Sequence, residues 1–184
     1  MSRDLSNDFI EFIEHFVSTN NAYRYDVEQN NETSSIAVIV MYLDHGYRDM
    51  FYAFFTEKKV KTYIIINGAR CELSSNFVQN LTGSDLQQKF NFWNHGVKKR
   101  DALYRILKNQ VDIYYLENPE HEDVNIEIRP DESGGFFQYS YDLVKNNNVM
   151  NVSLTDETFV LHRDSKDDLI FQDPIVIQDQ LREL

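Results

Sequence analysis

A single cysteine, Cys71, stands in the 184-residue chain, so no disulfide can close within it and no cysteine-based zinc site can form. A reducing, cytoplasmic setting is the expectation that follows. Three prolines and six glycines fall well below the share of about 12 % usual for the two together, which leaves turns to Asn, Asp and Ser. Cations are scarce too. Eighteen Lys and Arg face 30 Asp and Glu, a net charge of −12. That sign opposes direct nucleic-acid binding, which draws its affinity from neutralised phosphates. The longest apolar runs, such as residues 36–43, are far shorter than the roughly 20 residues a membrane-crossing helix needs. The N-terminal MSRDLSNDFIEFIEHF interleaves Asp4, Asp8, Glu11 and Glu14 with its apolar residues, whereas a secretory signal requires an uninterrupted apolar core behind positive charge. Neither export nor a membrane role is expected.

What is present is core material. Hydrophobic residues make up 42 % and aromatics 14 % of the chain, which excludes wholesale disorder. Residues 1–184 read as one domain, with 150–184 as a candidate C-terminal appendage, because no linker composition or repeat interrupts them. Leu5, Phe9, Phe12, Ile13, Phe16 and Val17 fall on one helical stripe, which predicts a core helix. Residues 20–34 carry no period and read as a loop. Short β-branched and aromatic runs at 34–43, 47–56 and 60–66 predict a three-stranded antiparallel meander, and Asn67-Gly68 is a hairpin signal. From Ser84, a capping-box candidate with Gln87, helical spacing runs to about Gln110. Gly96 breaks it into a helical pair or a broken helix. A hairpin follows, with arms VNIEIRP and FFQYSYDL, then strand-like VMNVSL and TFVLHR. PIVIQDQLREL is left open between strand, helix and docked tail. The fold class is therefore α+β, an antiparallel sheet of meander plus later hairpin covered by an N-terminal helix and a central helical pair.

Catalytic patterns are thin. Histidines 15, 45, 95, 121 and 162 show no paired helical spacing of a zinc site, and His121-Glu122-Asp123 lacks a second His, so no metal site is assigned. No glycine-rich phosphate loop occurs, and no cofactor is expected. Asp131 with Asp164 and Lys166 loosely spells the carboxylate-and-lysine skeleton of metal-dependent nucleases. The spacing is long, and this small-nuclease reading ranks last. Cys71 lies between Arg70 and Glu72 and lacks the net positive setting of a reactive thiolate.

Charge layout carries more. Residues 57–105 hold 4 acids and 9 bases, while residues 112–142 hold 9 acids and 1 base. Glu117, Glu120, Glu122, Asp123, Asp131 and Glu132 gather in and around the predicted hairpin, where they would focus negative potential on a basic partner. The plainer alternative is solvated turns that keep the chain soluble. Tyr139 and Tyr141 could anchor such a contact, although they alternate with Phe137 on a face equally suited to a core. Lys98-Lys99-Arg100 reads as the start of the second helix of the pair.

The stretch DALYRILKNQVDIYYL followed by VNIEIRPDESGGFFQYSYDL resembles the YezG/EsaG-type bacterial immunity proteins over about residues 36–143. The residues that carry it are Leu103, Ile106 and Leu107 on the helix, Gly134, Gly135 and Phe137 at the turn, and Tyr139, Tyr141 and Asp142 at the strand. The N-terminal segment lacks the family's Pro-x-x-Trp-like entry, no Trp precedes VNIEI, and the last 40 or so residues have no counterpart. The resemblance implies a cytosolic, non-enzymatic antitoxin that binds a nuclease toxin, which the charge layout suits. Two alternatives remain open beside it: a phage anti-defence or DNA-mimic inhibitor, and the small metal nuclease.

Overall fold

The protein, in a computed structural model, is described for residues 5–43, 49–57, 59–66, 69–73, 83–131 and 139–184. It is α+β with two antiparallel sheets, and the chain divides into two compact units, Met1–Val97 and Lys98–Leu184. Each unit owns one sheet. The expected single sheet of meander plus hairpin is thus corrected: the meander builds one sheet and the hairpin another, because each set of strands finds its own helical cover.

Unit 1 starts with α1 (Leu5–Ser18), then β1 (Tyr23–Asn30), β2 (Ser35–Tyr42), β3 (Asp49–Phe55), β4 (Val60–Ile66) and β5 (Ala69–Glu72), paired in that order as an antiparallel sheet. Ile66 pairs with Ala69, as a two-residue hairpin at Asn67-Gly68 requires; those two residues lie outside the described set. The helix α2 (Gly83–Glu117) begins in this unit. One sheet face, carrying Val38, Val40, Phe51, Ala53, Phe55 and Ile64, is buried. Phe9 of α1 meets Phe51 and Phe55, and Phe90 of α2 meets Phe51, Phe12 and Phe16, with ring centroids 4.8–6.3 Å apart. Edge and tilted ring pairs add to their area burial. Past the end of α1, Thr19 Oγ1 and Asn20 Nδ2 both donate to the Phe16 carbonyl, satisfying acceptors the helix leaves open. Tyr25 donates to Glu14 at 3.0 Å, and this bond holds its phenol above the ordinary range.

Residues 23–30, expected as loop, form β1. All but Tyr23 of this strand are exposed or half-exposed, so it lies at a sheet edge where main-chain pairing with β2 suffices without apolar alternation. That is why periodicity missed it.

Unit 2 holds the remainder of α2, a 3-10 turn (Pro119–His121), β6 (Ile126–Pro130), β7 (Ser140–Lys145), β8 (Asn148–Thr155), β9 (Thr158–Arg163), β10 (Leu169–Phe171) and α3 (Ile175–Glu183). The strands again pair in chain order. Tyr141, Val152, Leu161 and Leu169 form one cross-strand row on the inner face, and Phe159 stacks on Phe171 beside it. Leu103, Leu107, Val111 and Tyr114 of α2 and Ile177 and Leu181 of α3 are buried with them. Tight hairpins need positive φ, which Asn146, Asn147 and Asp156 supply at φ 52°, 64° and 53°. These residue types tolerate that region best after glycine. Residues 150–184 therefore complete this sheet and its cover and are no appendage.

The central pair is one helix. Gly96 sits inside α2 without breaking it, since a lone glycine costs about 1 kcal/mol against alanine while buried side chains hold both halves. Ser84 is already within its first turn, and Lys98-Lys99-Arg100 lies mid-helix instead of at a start. On α1, Phe9 and Ile13 are fully buried, but Phe12 and Phe16 are half-buried. Phe9→Ala is expected to destabilise by about 3–5 kcal/mol and Phe12→Ala by clearly less, measured by urea unfolding. Equal losses would show that the stripe does not pack as described.

Candidate functional site

The acids foreseen at 117–123 sit on a braced loop. α2 ends at Glu117 with two adjacent tyrosines just before it, and both hold the loop that follows. The Tyr115 hydroxyl donates to the Val124 carbonyl at 2.5 Å and accepts from the Ile126 N–H at 2.9 Å. Tyr114 shares a 2.6 Å hydrogen bond with His121 Nδ1. Asn118 Nδ2 turns back to the Tyr114 carbonyl, and the His121 and Val124 N–H groups bond to the Asn118 and His121 carbonyls. The loop's main chain is thus tied at both ends, while Glu117, Glu120, Glu122 and Asp123 are all exposed.

Neighbouring charges cancel in pairs, and among the described residues only Glu117 of these four acids does so. Lys108 and Asp112 pair at 2.9 Å, a contact that raises the lysine pKa, and the Arg129 guanidinium holds the Glu127 carboxyl below its usual range at 2.6 Å. Glu117 meets Arg182 at 2.8 Å, a cation shared with Asp179. Among the described residues Glu120, Glu122 and Asp123 have no such cation. Three carboxylates within four residues on a fixed loop give a steady local negative potential.

The other predicted residues lie elsewhere. Asp131 stands at the far end of β6, where its Oδ2 accepts from Ser140 Oγ at 2.8 Å and Asn151 Nδ2 at 2.9 Å. Asn151 Nδ2 also reaches Asp142 Oδ1 at 3.0 Å, and Asp142, Asn151 and His162 form one row across β7, β8 and β9. Beyond the row, His162 Nδ1 meets Asp168 at 2.7 Å. A hollow of about 490 Å³ with a mixed polar and apolar lining opens here, with Lys99 5.3 Å above the ring of Tyr139 at its margin. Tyr141 corrects an expectation: it is 1 % exposed, because its strand position faces the core of unit 2, so it cannot anchor a partner. Tyr139 stays half-exposed. Glu132, Gly134, Gly135 and Phe137 fall outside the described residues.

Of the nuclease-like set, Asp164 and Lys166 are exposed on the turn after β9 while Asp131 is engaged with Ser140 and Asn151. No three of His, Cys, Asp or Glu converge to hold a metal among the described residues. No described helix is long and apolar enough to cross a membrane. Lys98 is exposed and Arg100 is buried, so the basic cluster is divided by the turn of the helix.

Sequence reading missed two features. The brace at Tyr114 and Tyr115 had a visible signal, two aromatics immediately before an acidic loop. The second is the outer face of the unit 1 sheet, where Ala37, Tyr52, Phe54, Tyr63 and Ile65 line an open, mostly apolar hollow of about 400 Å³. Its signal was the near-continuous apolarity of SIAVIVMY and DMFYAFF, which marks strands apolar on both faces. No family model, curated protein or solved structure matches the chain.

Tyr115→Phe removes both hydrogen bonds of its hydroxyl and leaves a carbonyl and an amide of the loop unpaired. Amide exchange at Ile126 is expected to accelerate at least tenfold, with a stability loss of about 1–3 kcal/mol. Unchanged exchange would mean the loop is held by other contacts.

Proposed function

We propose that the protein is a non-enzymatic acidic inhibitor that binds and neutralises a basic partner, acting in the cytoplasm as an immunity protein does toward a nuclease toxin. One observation carries this reading: exposed carboxylates Glu120, Glu122 and Asp123 on a loop fixed by Tyr114 and Tyr115. A fixed loop loses little freedom on binding, so its charge is spent on the partner instead of on ordering. Complementary fields raise association rates and sort partners by charge. A DNA mimic would distribute acids along a stripe matching phosphate spacing, whereas four of these acids fall between Glu117 and Asp123. That bunching suits a compact basic epitope and favours the immunity reading, in line with the YezG/EsaG-type resemblance.

The partner to test is the protein encoded beside this gene, co-expressed and purified with it. Formation of a complex that suppresses that protein's nuclease activity is expected. Reversing Glu120, Glu122 and Asp123 to Lys should leave the protein folded with a melting temperature no lower than before, since exposed charges rarely shift stability beyond about 0.5 kcal/mol each and cations suit the end of a helix. The same reversal should slow association by about tenfold or more at low salt. An association rate indifferent both to the reversal and to salt would overturn the electrostatic inhibitor.

A further inference from the structure

The strand register of unit 1 places three rows of side chains on the outer face of its sheet. Glu28, Ala37, Phe54 and Lys61 form one row across β1 to β4. Asp26, Ile39, Tyr52 and Tyr63 form the next, and Arg24, Met41, Met50 and Ile65 the third. The middle of this face is apolar and aromatic, and Tyr52, Phe54, Tyr63 and Ile65 remain half-exposed. A contiguous patch of this kind on a folded chain marks an interaction surface.

We infer that this face pairs with the same face of a second copy of the chain. The argument is self-complementarity, which a two-fold interface demands. A two-fold axis along the strands, between β2 and β3, lays β1 over β4 of the other copy and β2 over its β3. Glu28 then faces Lys61, opposite in charge. Ala37 faces Phe54, so the largest apolar ring meets the smallest side chain, and the hollow of about 400 Å³ above Ala37 has room for it. Asp26 comes opposite the hydroxyl of Tyr63, and Met41 opposite Met50. Aligned sheets stack about 10 Å apart with strands within about 30° of each other, which this arrangement meets.

Area sets the strength. Four strands spaced about 4.8 Å apart and seven residues long at about 3.3 Å each present roughly 440 Å² per copy. The pair therefore buries roughly 880 Å², just under the limit of about 1,000 Å² for a specific interface. The dimer is reversible, and it does not require the inhibitor reading.

Sedimentation equilibrium of the full chain from about 1 to about 200 µM is the test, over the range where an interface of this size dissociates. A concentration-dependent monomer–dimer equilibrium is expected. Glu28→Lys and Lys61→Glu should each weaken it by about fivefold or more, by setting like charges opposite each other, and the double swap should restore it. Melting temperatures of the variants report that each is folded, and Ala37→Glu, which places a charge in the centre of the face, should abolish the dimer. A chain monomeric throughout overturns the proposal. So does a dimer insensitive to Ala37→Glu, or one weakened by both single swaps without recovery in the double.

Discussion

Tyr114 joins most of unit 2. Its ring is fully buried, the Lys145 ammonium lies 5.1 Å from the ring centroid, and its hydroxyl meets His121. Lys145, itself only 5 % exposed, donates to the Leu181 carbonyl at 2.7 Å. A buried lysine is costly unless its donors and charge find partners. Here the aromatic face answers the charge, and a carbonyl in the last turn of α3 answers a donor where the helix dipole favours a cation. Through one ring, β7, α3, the end of α2 and the acidic loop are fixed together, and displacing any of them strands either the ammonium or the phenol.

The two sheets solve different problems with the same antiparallel pairing. In unit 2 the outer face carries Asp142, Asn151 and His162 in a row and the inner face carries the core, the alternation expected of a sheet solvated on one side. In unit 1 both faces of β2 and β3 are apolar. Of the outward positions Ile39 is buried, but Tyr52, Phe54, Tyr63 and Ile65 stay half-exposed, apolar surface that α1 and α2 on the other face do not cover. The same contrast divides what the two units display: charge on unit 2, apolar side chains on unit 1.

Much of this was legible from sequence because it is local. The strands at Val60–Ile66 and Thr158–Arg163 were bounded to the residue, since turn residues flank β-branched and aromatic runs on both sides. The acids of the loop are legible because an acidic bunch between a helix and a strand is visible in the sequence itself. What failed was non-local. Which sheet a hairpin joins depends on the helix face that covers it, so the sequence alone points to one sheet where the chain builds two. Tyr139 and Tyr141 alternate identically in sequence, yet only the packing of β7 under α2 decides that Tyr141 is buried. The edge strand β1 has no apolar signature, because its bonds to β2 are main-chain bonds that any residue makes.

The acidic loop also runs against a local rule. The C-terminal end of a helix carries partial negative charge, and cations there are worth about 0.3–1 kcal/mol each. The last turn of α2 has no basic residue and ends on Glu117, with Glu120, Glu122 and Asp123 just beyond. Arg182 answers Glu117, and the tyrosine bonds hold a loop that its charges alone would loosen. Stability thus favours fewer acids here, while the part-buried hydroxyls of Tyr114 and Tyr115 keep them displayed. Departures from local preference that are held in place by dedicated contacts collect at functional sites, and in unit 2 this departure falls on the carboxylates of the proposed partner-facing loop.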